Sequence, residues 1–120
     1  VKMKKNLSAS AVAKLIVLNA FLYATEKGKS ITRYKVSNST LRKMSHRNSL
    51  RESFLVEVDN ELSELGWTMI RNNNDENCFM VMSATDNWPK LSSKRLNTIL
   101  EQNDESEIDD MYAHHVEGDF

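Results

Sequence analysis

One segment of this 120-residue chain has a helical pattern of apolar residues with a marked start and a marked end. Ser49 and Glu52 have the spacing of a capping box, and Gly66 is the residue type that commonly follows a helix end. Between them, apolar side chains recur at three- and four-residue spacing, which places them on one helix face. The apolar positions are Leu50, Phe54, Val58, Leu62 and Leu65. The sequence therefore predicts a helix over residues 49–65 that must bury this face.

Two further helices are predicted before this segment. Residues 9–26 carry apolar side chains over much of a helix circumference, and Gly28 suits the helix end. Ser39 can cap a short helix that holds Leu41 and Met44. Residues 31–36 fit either a brief strand or the opening of a helix.

The chain after Gly66 predicts β structure and then one more helix. Residues 67–71 and 78–83 are two β-type runs that flank an asparagine-rich connection, which is typical of an antiparallel hairpin. Residues 91–100 predict a last helix. The hairpin and the helix at residues 49–65 are expected to share one core with the helix at residues 9–26. The predicted helical members of that core are Val12, Leu15, Ile16, Phe54, Val58, Leu62 and Leu65.

Charge is sorted by position along the chain, although the net charge is only −1. Residues 1–53 carry twelve Lys or Arg against two acids, whereas residues 101–120 carry eight acids and no Lys or Arg. This pattern indicates a polyanion-binding surface and a segment that could compete for it. The alternative is a solvated basic face with a solubilising tail. We therefore divide the chain into a folded domain at residues 1–100 and an acidic flexible tail at residues 101–120.

Catalytic and metal-binding patterns are lacking in the sequence. Cys78 is the one cysteine and excludes an internal disulfide. His46 lies beside arginines in a predicted turn without a nucleophile signature. His114 and His115 are adjacent in the acidic tail, where the usual spacing of metal ligands is absent. The sequence predicts no enzyme, no cofactor and no metal site.

A membrane location is not expected from the apolar run at residues 11–24. Lys14 and Asn19 interrupt this run, and it is too short to span a bilayer. The lysines at residues 2–5 imitate the start of a signal peptide, but charged residues follow the run directly. A cytoplasmic protein with no membrane partner is therefore predicted.

The order of the predicted elements is similar to that of a winged helix-turn-helix domain. The resemblance covers about residues 8–83 and is supported by Leu62-Ser-Glu-Leu65-Gly66-Trp67, where a leucine-bearing helix runs through glycine into a first wing strand. It implies an α+β class, specifically a mostly helical winged helix-turn-helix fold with a C-terminal β-hairpin wing and one additional helix.

The resemblance also implies that the helix from Ser49 presents its first turns to the major groove of duplex DNA. The residues around the preceding turn are basic or polar, and suit base edges and phosphates. The expected nucleic-acid-binding residues are Arg33, Lys35, Arg42, Lys43, His46, Arg47, Asn48, Ser49 and Arg51.

The leading interpretation is a homodimeric transcriptional regulator, with its dimer seam on the helix at residues 9–26 or at residues 91–100. Acidic Asp75 and Glu76 at the predicted wing tip favour an alternative, in which the same frame is a protein-binding regulator or phage-type inhibitor. A third interpretation is a single-stranded nucleic-acid binder, but only Tyr34 is an aromatic near the basic residues.

Deletion of residues 101–120 is expected to tighten binding of duplex DNA at low salt. An attached polyanion competes for the basic surface at an effective concentration of about 1 mM. The screening length is about 8 Å near physiological ionic strength, so the gain should shrink as salt is added. Titration of a labelled random duplex with both proteins at two salt concentrations measures the effect. Equal affinities at low salt would leave the tail with a solubilising role alone.

Overall fold

A computed structural model describes residues 4–118 and divides the chain into two compact units, Val1–Trp88 and Pro89–Phe120. The first unit contains α1 (Ala9–Lys27), β1 (Arg33–Val36), α2 (Asn38–Ser45), α3 (Glu52–Glu64), β2 (Trp67–Arg71), β3 (Asn77–Val81) and a 3₁₀ helix at Met82–Asn87. The second contains a 3₁₀ turn at Lys94–Leu96, α4 (Asn97–Gln102) and α5 (Glu105–His115). The predicted α+β class is confirmed.

The sheet of the first unit has three antiparallel strands in the order β1-β3-β2. The predicted hairpin is formed by β2 and β3, but β1 pairs with the other edge of β3, so the sheet has one strand more than the sequence predicted. Tyr34 lies opposite Phe79 in this pairing, and the centroids of the two rings are 5.3 Å apart. The sequence left residues 31–36 open between a strand and the start of a helix. The strand forms, and alternate residues of β1 are partly buried, as expected for a strand with one face toward the core.

The core lies where α1 packs against α3 and where α3 packs against the sheet. Its members from α1 and α3 include the predicted core residues Val12, Ile16, Phe54, Val58 and Leu62, joined by Leu41, Trp67 and Phe79. Two predicted members are wrong. Leu15 is only partly buried and lies outside this cluster, and Leu65 is 43% exposed because it follows the last helical residue of α3 and leaves the helix stripe.

Helix α3 begins at Glu52, three residues later than the sequence predicted, and the capping box does not form. Arg51 is the N-cap, and its side chain makes no capping hydrogen bond. Leu50 instead packs against the core, one residue before the cap, and Leu55 is buried at the fourth helical position. These are the two positions of a hydrophobic staple, which fixes the entry angle of the chain into a helix. Ser49 therefore lies outside the helix.

Helix α1 is the one helix within residues 4–118 that is long and apolar enough to cross a membrane, with a mean hydropathy of 1.2. The core helix of a globular domain satisfies the same criterion, and five residues of α1 are buried in the first unit. Ser8 caps its start, and Gly28, with a φ of 72°, ends it in the left-handed conformation.

Helix α5 occupies much of the segment for which the sequence analysis predicted a flexible tail. Asp104 caps it by accepting hydrogen bonds from the amide and hydroxyl of Ser106, at 3.0 and 2.7 Å. These bonds hold the pKa of Asp104 below its ordinary value, so the cap stays charged at neutral pH. The helix predicted over residues 91–100 is α4, which starts later and is shorter.

Substitution Tyr34→Phe is expected to lower the free energy of unfolding by about 1 kcal/mol, because the Tyr34 hydroxyl donates a 2.7 Å hydrogen bond to Ile16 O. Burial raises the pKa of Tyr34 from 10.0 to about 12. The folded state therefore keeps a proton that the unfolded chain loses, and this stabilisation is complete below pH 10 and disappears as the pH rises to about 12. Urea unfolding of both proteins below pH 10 and near pH 12 measures it. Identical pH dependence in the two proteins would contradict this role.

Candidate nucleic-acid interface

The turn after α2 is built as a Schellman motif with histidine in place of glycine. His46 adopts a φ of 56°, in the left-handed region. Its amide donates to Lys43 O at 3.3 Å, and the Arg47 amide donates to Arg42 O at 3.0 Å. These two bonds satisfy carbonyls at the helix end and turn the chain sharply toward α3.

Residues 4–7, here named the N-terminal arm, lie along this turn. The Leu7 amide donates to Ser45 O at 3.0 Å. His46 Nδ1 lies 3.2 Å from Lys5 O, which requires the proton on Nδ1. Arg47 Nη2 donates to Leu7 O at 2.9 Å. Three bonds thus fix the arm beside residues that are about 40 positions away in sequence.

Arg47 is a structural residue as well as a surface cation. Its guanidinium carbon lies 3.6 Å from the centroid of the Phe54 ring, which is a close cation–π contact with the first turn of α3. The same side chain holds Leu7 O, so it joins the arm, the turn and α3. Its Nε is buried without a hydrogen-bond partner among the described residues. The sequence predicted Arg47 as a nucleic-acid-binding residue, but its Nη2 donor and one face of its guanidinium are engaged inside the protein.

Basic and polar side chains from the arm and the turn line one open groove of about 580 Å³. A second, adjoining groove shares three of these residues and extends toward the start of α3. We name the two together the basic groove. Its lining residues are Lys4, Asn6, Arg42, Lys43, His46, Arg47, Asn48, Ser49 and Arg51. No Asp or Glu of the described chain lines it, so its cations face an anion without internal competition.

The structure brings together seven of the nine predicted site residues, and places the other two elsewhere. Lys35 Nζ is 3.0 Å from Glu76 on the β2–β3 turn, and this hydrogen bond raises the pKa of Lys35. Arg33 lines a separate cavity of about 350 Å³ beside Tyr23 and Tyr34. Neither side chain lines the basic groove.

The exposed face of α3 is acidic, which limits how a polyanion could approach it. Glu52, Glu57 and Glu64 are exposed on this helix, and the helix contains no Lys or Arg. Asp59 is committed internally, because its carboxylate accepts the Met69 amide of β2 at 3.0 Å. Beyond Arg51 the helix therefore repels phosphate.

The β2–β3 turn, which corresponds to the predicted wing tip, is closed by its own polar contacts. Asn72 Oδ1 accepts the amides of Asn74 and Glu76, each at 3.0 Å. The nearby cation, Arg71, donates to Asn38 Oδ1 at 2.9 Å at the start of α2. This hairpin presents no free cluster of cations.

The arm is the part of the site that sequence reasoning missed. Lys4 and Asn6 line the basic groove, yet the lysines at residues 2–5 were interpreted only as an imitation of a signal peptide. The available signal was a short basic run directly before a capped helix, which can carry phosphate contacts as an extension of a domain. Lys2 itself lies outside the described residues.

Comparison of the chain with protein-family models, with curated proteins and with solved structures gives no match.

Substitution Arg47→Ala is expected to lower the free energy of unfolding by about 1–3 kcal/mol. It removes a hydrogen bond from a charged donor and a cation–π contact, and leaves Leu7 O unpaired. Arg51→Ala is the matched control and should change stability by less than about 0.5 kcal/mol, because the exposed Arg51 side chain makes no capping bond. Urea denaturation of the two variants measures the difference. Equal stabilities would exclude the joining role of Arg47.

Proposed function

We propose that this protein is a small DNA-binding regulator that holds the phosphate backbone of duplex DNA in the basic groove. The observation that carries the proposal is the convergence of cations from the N-terminal arm and from the turn after α2 on one groove whose lining includes no Asp or Glu. When such cations neutralise phosphates, counterions are released from the DNA, which favours binding to any duplex.

The arrangement of the first unit supports a winged helix-turn-helix module as the frame for this function. Helix α2, the turn and α3 follow in the order of the helix-turn-helix, and β2 and β3 follow as the wing. Strand β1 completes the sheet from the other side of β3. In this frame α3 is the recognition helix, and its N-terminal end, next to Arg51, faces the duplex.

The chemistry of the surface favours backbone contacts over base reading. Lys43 and Arg42 are cations that suit phosphates, and phosphate contacts position a protein without specifying sequence. The acidic face of α3 disfavours deep insertion into the major groove. Asn48 and Arg51, which are exposed beside the helix start, are the side chains that could reach a base edge.

A homodimer is part of this proposal, with α1 as its seam. Leu18, Phe21 and Leu22 are 49, 65 and 58% exposed, and their spacing places them on one side of the helix. An apolar stripe of this kind is typical of a protein contact. A second copy would also lengthen the DNA site that one small module can cover. A protein-binding regulator built on the same frame is the second candidate, and this stripe is the observation that favours it.

Substitutions Lys43→Ala and Arg51→Ala are each expected to weaken duplex binding several-fold. Each should also reduce the slope of log affinity against log salt by about 0.9 for every phosphate that the variant no longer neutralises. The control is Lys29→Ala, which removes an exposed cation just after the C-terminal end of α1. That end is about 28 Å from the start of the helix, where the arm lies. Electrophoretic retardation of a random duplex over a salt series measures all three variants.

Four outcomes would contradict the proposal. Flat salt dependence or no duplex binding at low salt would favour the protein-binding candidate. Equal loss of affinity in Lys29→Ala would show that binding depends on total charge and not on the basic groove. Tighter binding to single-stranded than to duplex DNA would assign the groove to unpaired strands.

A further inference from the structure

The second unit exposes an apolar face to which both of its helices contribute. The face lines an open groove of about 630 Å³. Its apolar residues are Leu96, Ile99, Leu100, Ile108, Met111 and Tyr112. None of the described residues from 89 to 118 is buried, so these side chains have no core within their own unit. An exposed apolar face of this kind is typical of an interaction site.

The local sequence accounts for the groove. On α5, Ile108, Met111, Tyr112 and His115 follow the i, i+3, i+4, i+7 pattern that places side chains on one helix face. Asn103, with a φ of 49°, ends α4 in the left-handed conformation, and the cap formed by Asp104 starts α5 at once. The chain therefore changes direction within two residues.

The α4–α5 segment that forms most of the groove is strongly negative. Residues 97–118 contain seven Asp or Glu and no Lys or Arg. Arg95, at the edge of the groove, is the one Lys or Arg in its lining. The ligand that complements such a surface combines an apolar stripe with flanking cations.

Binding of such a ligand would stabilise α4 and α5. Helix α4 has six residues and α5 has eleven, and isolated helices shorter than about 12–15 residues are marginal in water. A ligand that buries the apolar face supplies the packing that the unit lacks. Binding and helix stability are then coupled.

We propose that the groove of the second unit docks a basic amphipathic helix of a partner protein. The apolar stripe of that helix lies against Ile108, Met111 and Leu100, while its Lys or Arg side chains face the surrounding acids. Met111 is unbranched and adapts its shape to an incoming side chain, and Tyr112 supplies a broad aromatic anchor. The same face of a second copy carries the same negative charge, which opposes pairing of two such units. Docking at this groove does not require DNA binding by the first unit.

The experiment titrates the full chain with a synthetic peptide of leucine and lysine, whose leucines repeat at three- and four-residue spacing. Two control peptides separate shape from charge. One has the same composition in an order without helical periodicity, and the other has glutamate in place of lysine. We expect calorimetric binding of the periodic basic peptide alone, together with an increase in helical circular dichroism.

The variants locate the site on the groove. The double substitution Ile108→Ala and Met111→Ala shortens two lining residues without lowering helix propensity, and should weaken peptide binding at least about tenfold. The control Leu91→Ala removes similar apolar area at a residue that is 72% exposed and does not line the groove. The Leu91→Ala variant should bind the periodic basic peptide with the same affinity as the unchanged chain.

Five results would overturn the proposal. The first four are no binding of the periodic basic peptide, equal binding of a control peptide, equal affinity of the double variant, and a lower melting temperature of the double variant without peptide. The last would show that the face is already covered. Dimerisation that depends on concentration and is lost in the double variant would also overturn it, because the occupant would then be a second copy.

Discussion

The close packing of α1 on α3 is the constraint on which the first unit depends. Ala13 and Ala20 have small side chains on the buried side of α1, where bulkier residues would push a neighbouring helix away. Val12 and Ile16 on α1 and Val58 on α3 are fully buried in the same cluster. Strand β2 packs on α3 and α2 packs on α1, so the elements that carry the basic groove are positioned by this helix pair.

Two buried side chains, Leu41 and Phe54, connect the basic groove to this packing. Leu41 is fully buried and holds α2 against the core, which fixes the point where the helix ends. Phe54 is buried at the first turn of α3 and supports the Arg47 guanidinium from below. The turn between them is therefore held at both ends by apolar contacts, although its exposed side is polar. As a result the turn backbone and the Arg47 side chain are already held in place, and ordering them costs a ligand no further conformational entropy.

Periodicity predicted the three helices of the first unit and the β2–β3 hairpin, because amphipathic patterns are local properties of the sequence. The start of α3 was wrong because the capping signal at Ser49 and Glu52 is local, whereas burial of Leu50 depends on the whole core. Strand β1 could not be decided for the same reason, since it depends on pairing with residues more than 40 positions away.

The site and the acidic segment were predicted to different extents. The basic turn was found because its residues are contiguous, but the contribution of Lys4 requires the fold of α1 beside α2. Arg47 is both a surface cation and the donor of a hydrogen bond to Leu7 O. No sequence pattern indicates the second role, because Leu7 lies 40 residues away. The acidic segment was predicted as a flexible tail because of its high charge content. The helical spacing of Ile108, Met111 and Tyr112, which indicates α5, was also present in the sequence.

The bond between the Leu7 amide and Ser45 O gives the N-terminal arm a measurable equilibrium of its own. When the arm leaves the turn, this amide meets solvent although the core stays folded, so its hydrogen exchange reports a local opening and not global unfolding. The Arg47 side chain donates a hydrogen bond to the carbonyl of Leu7. A ligand that draws the guanidinium toward itself would speed exchange at Leu7, whereas a ligand that spans the arm and the turn would slow it. One backbone proton thus distinguishes two ways of filling the groove.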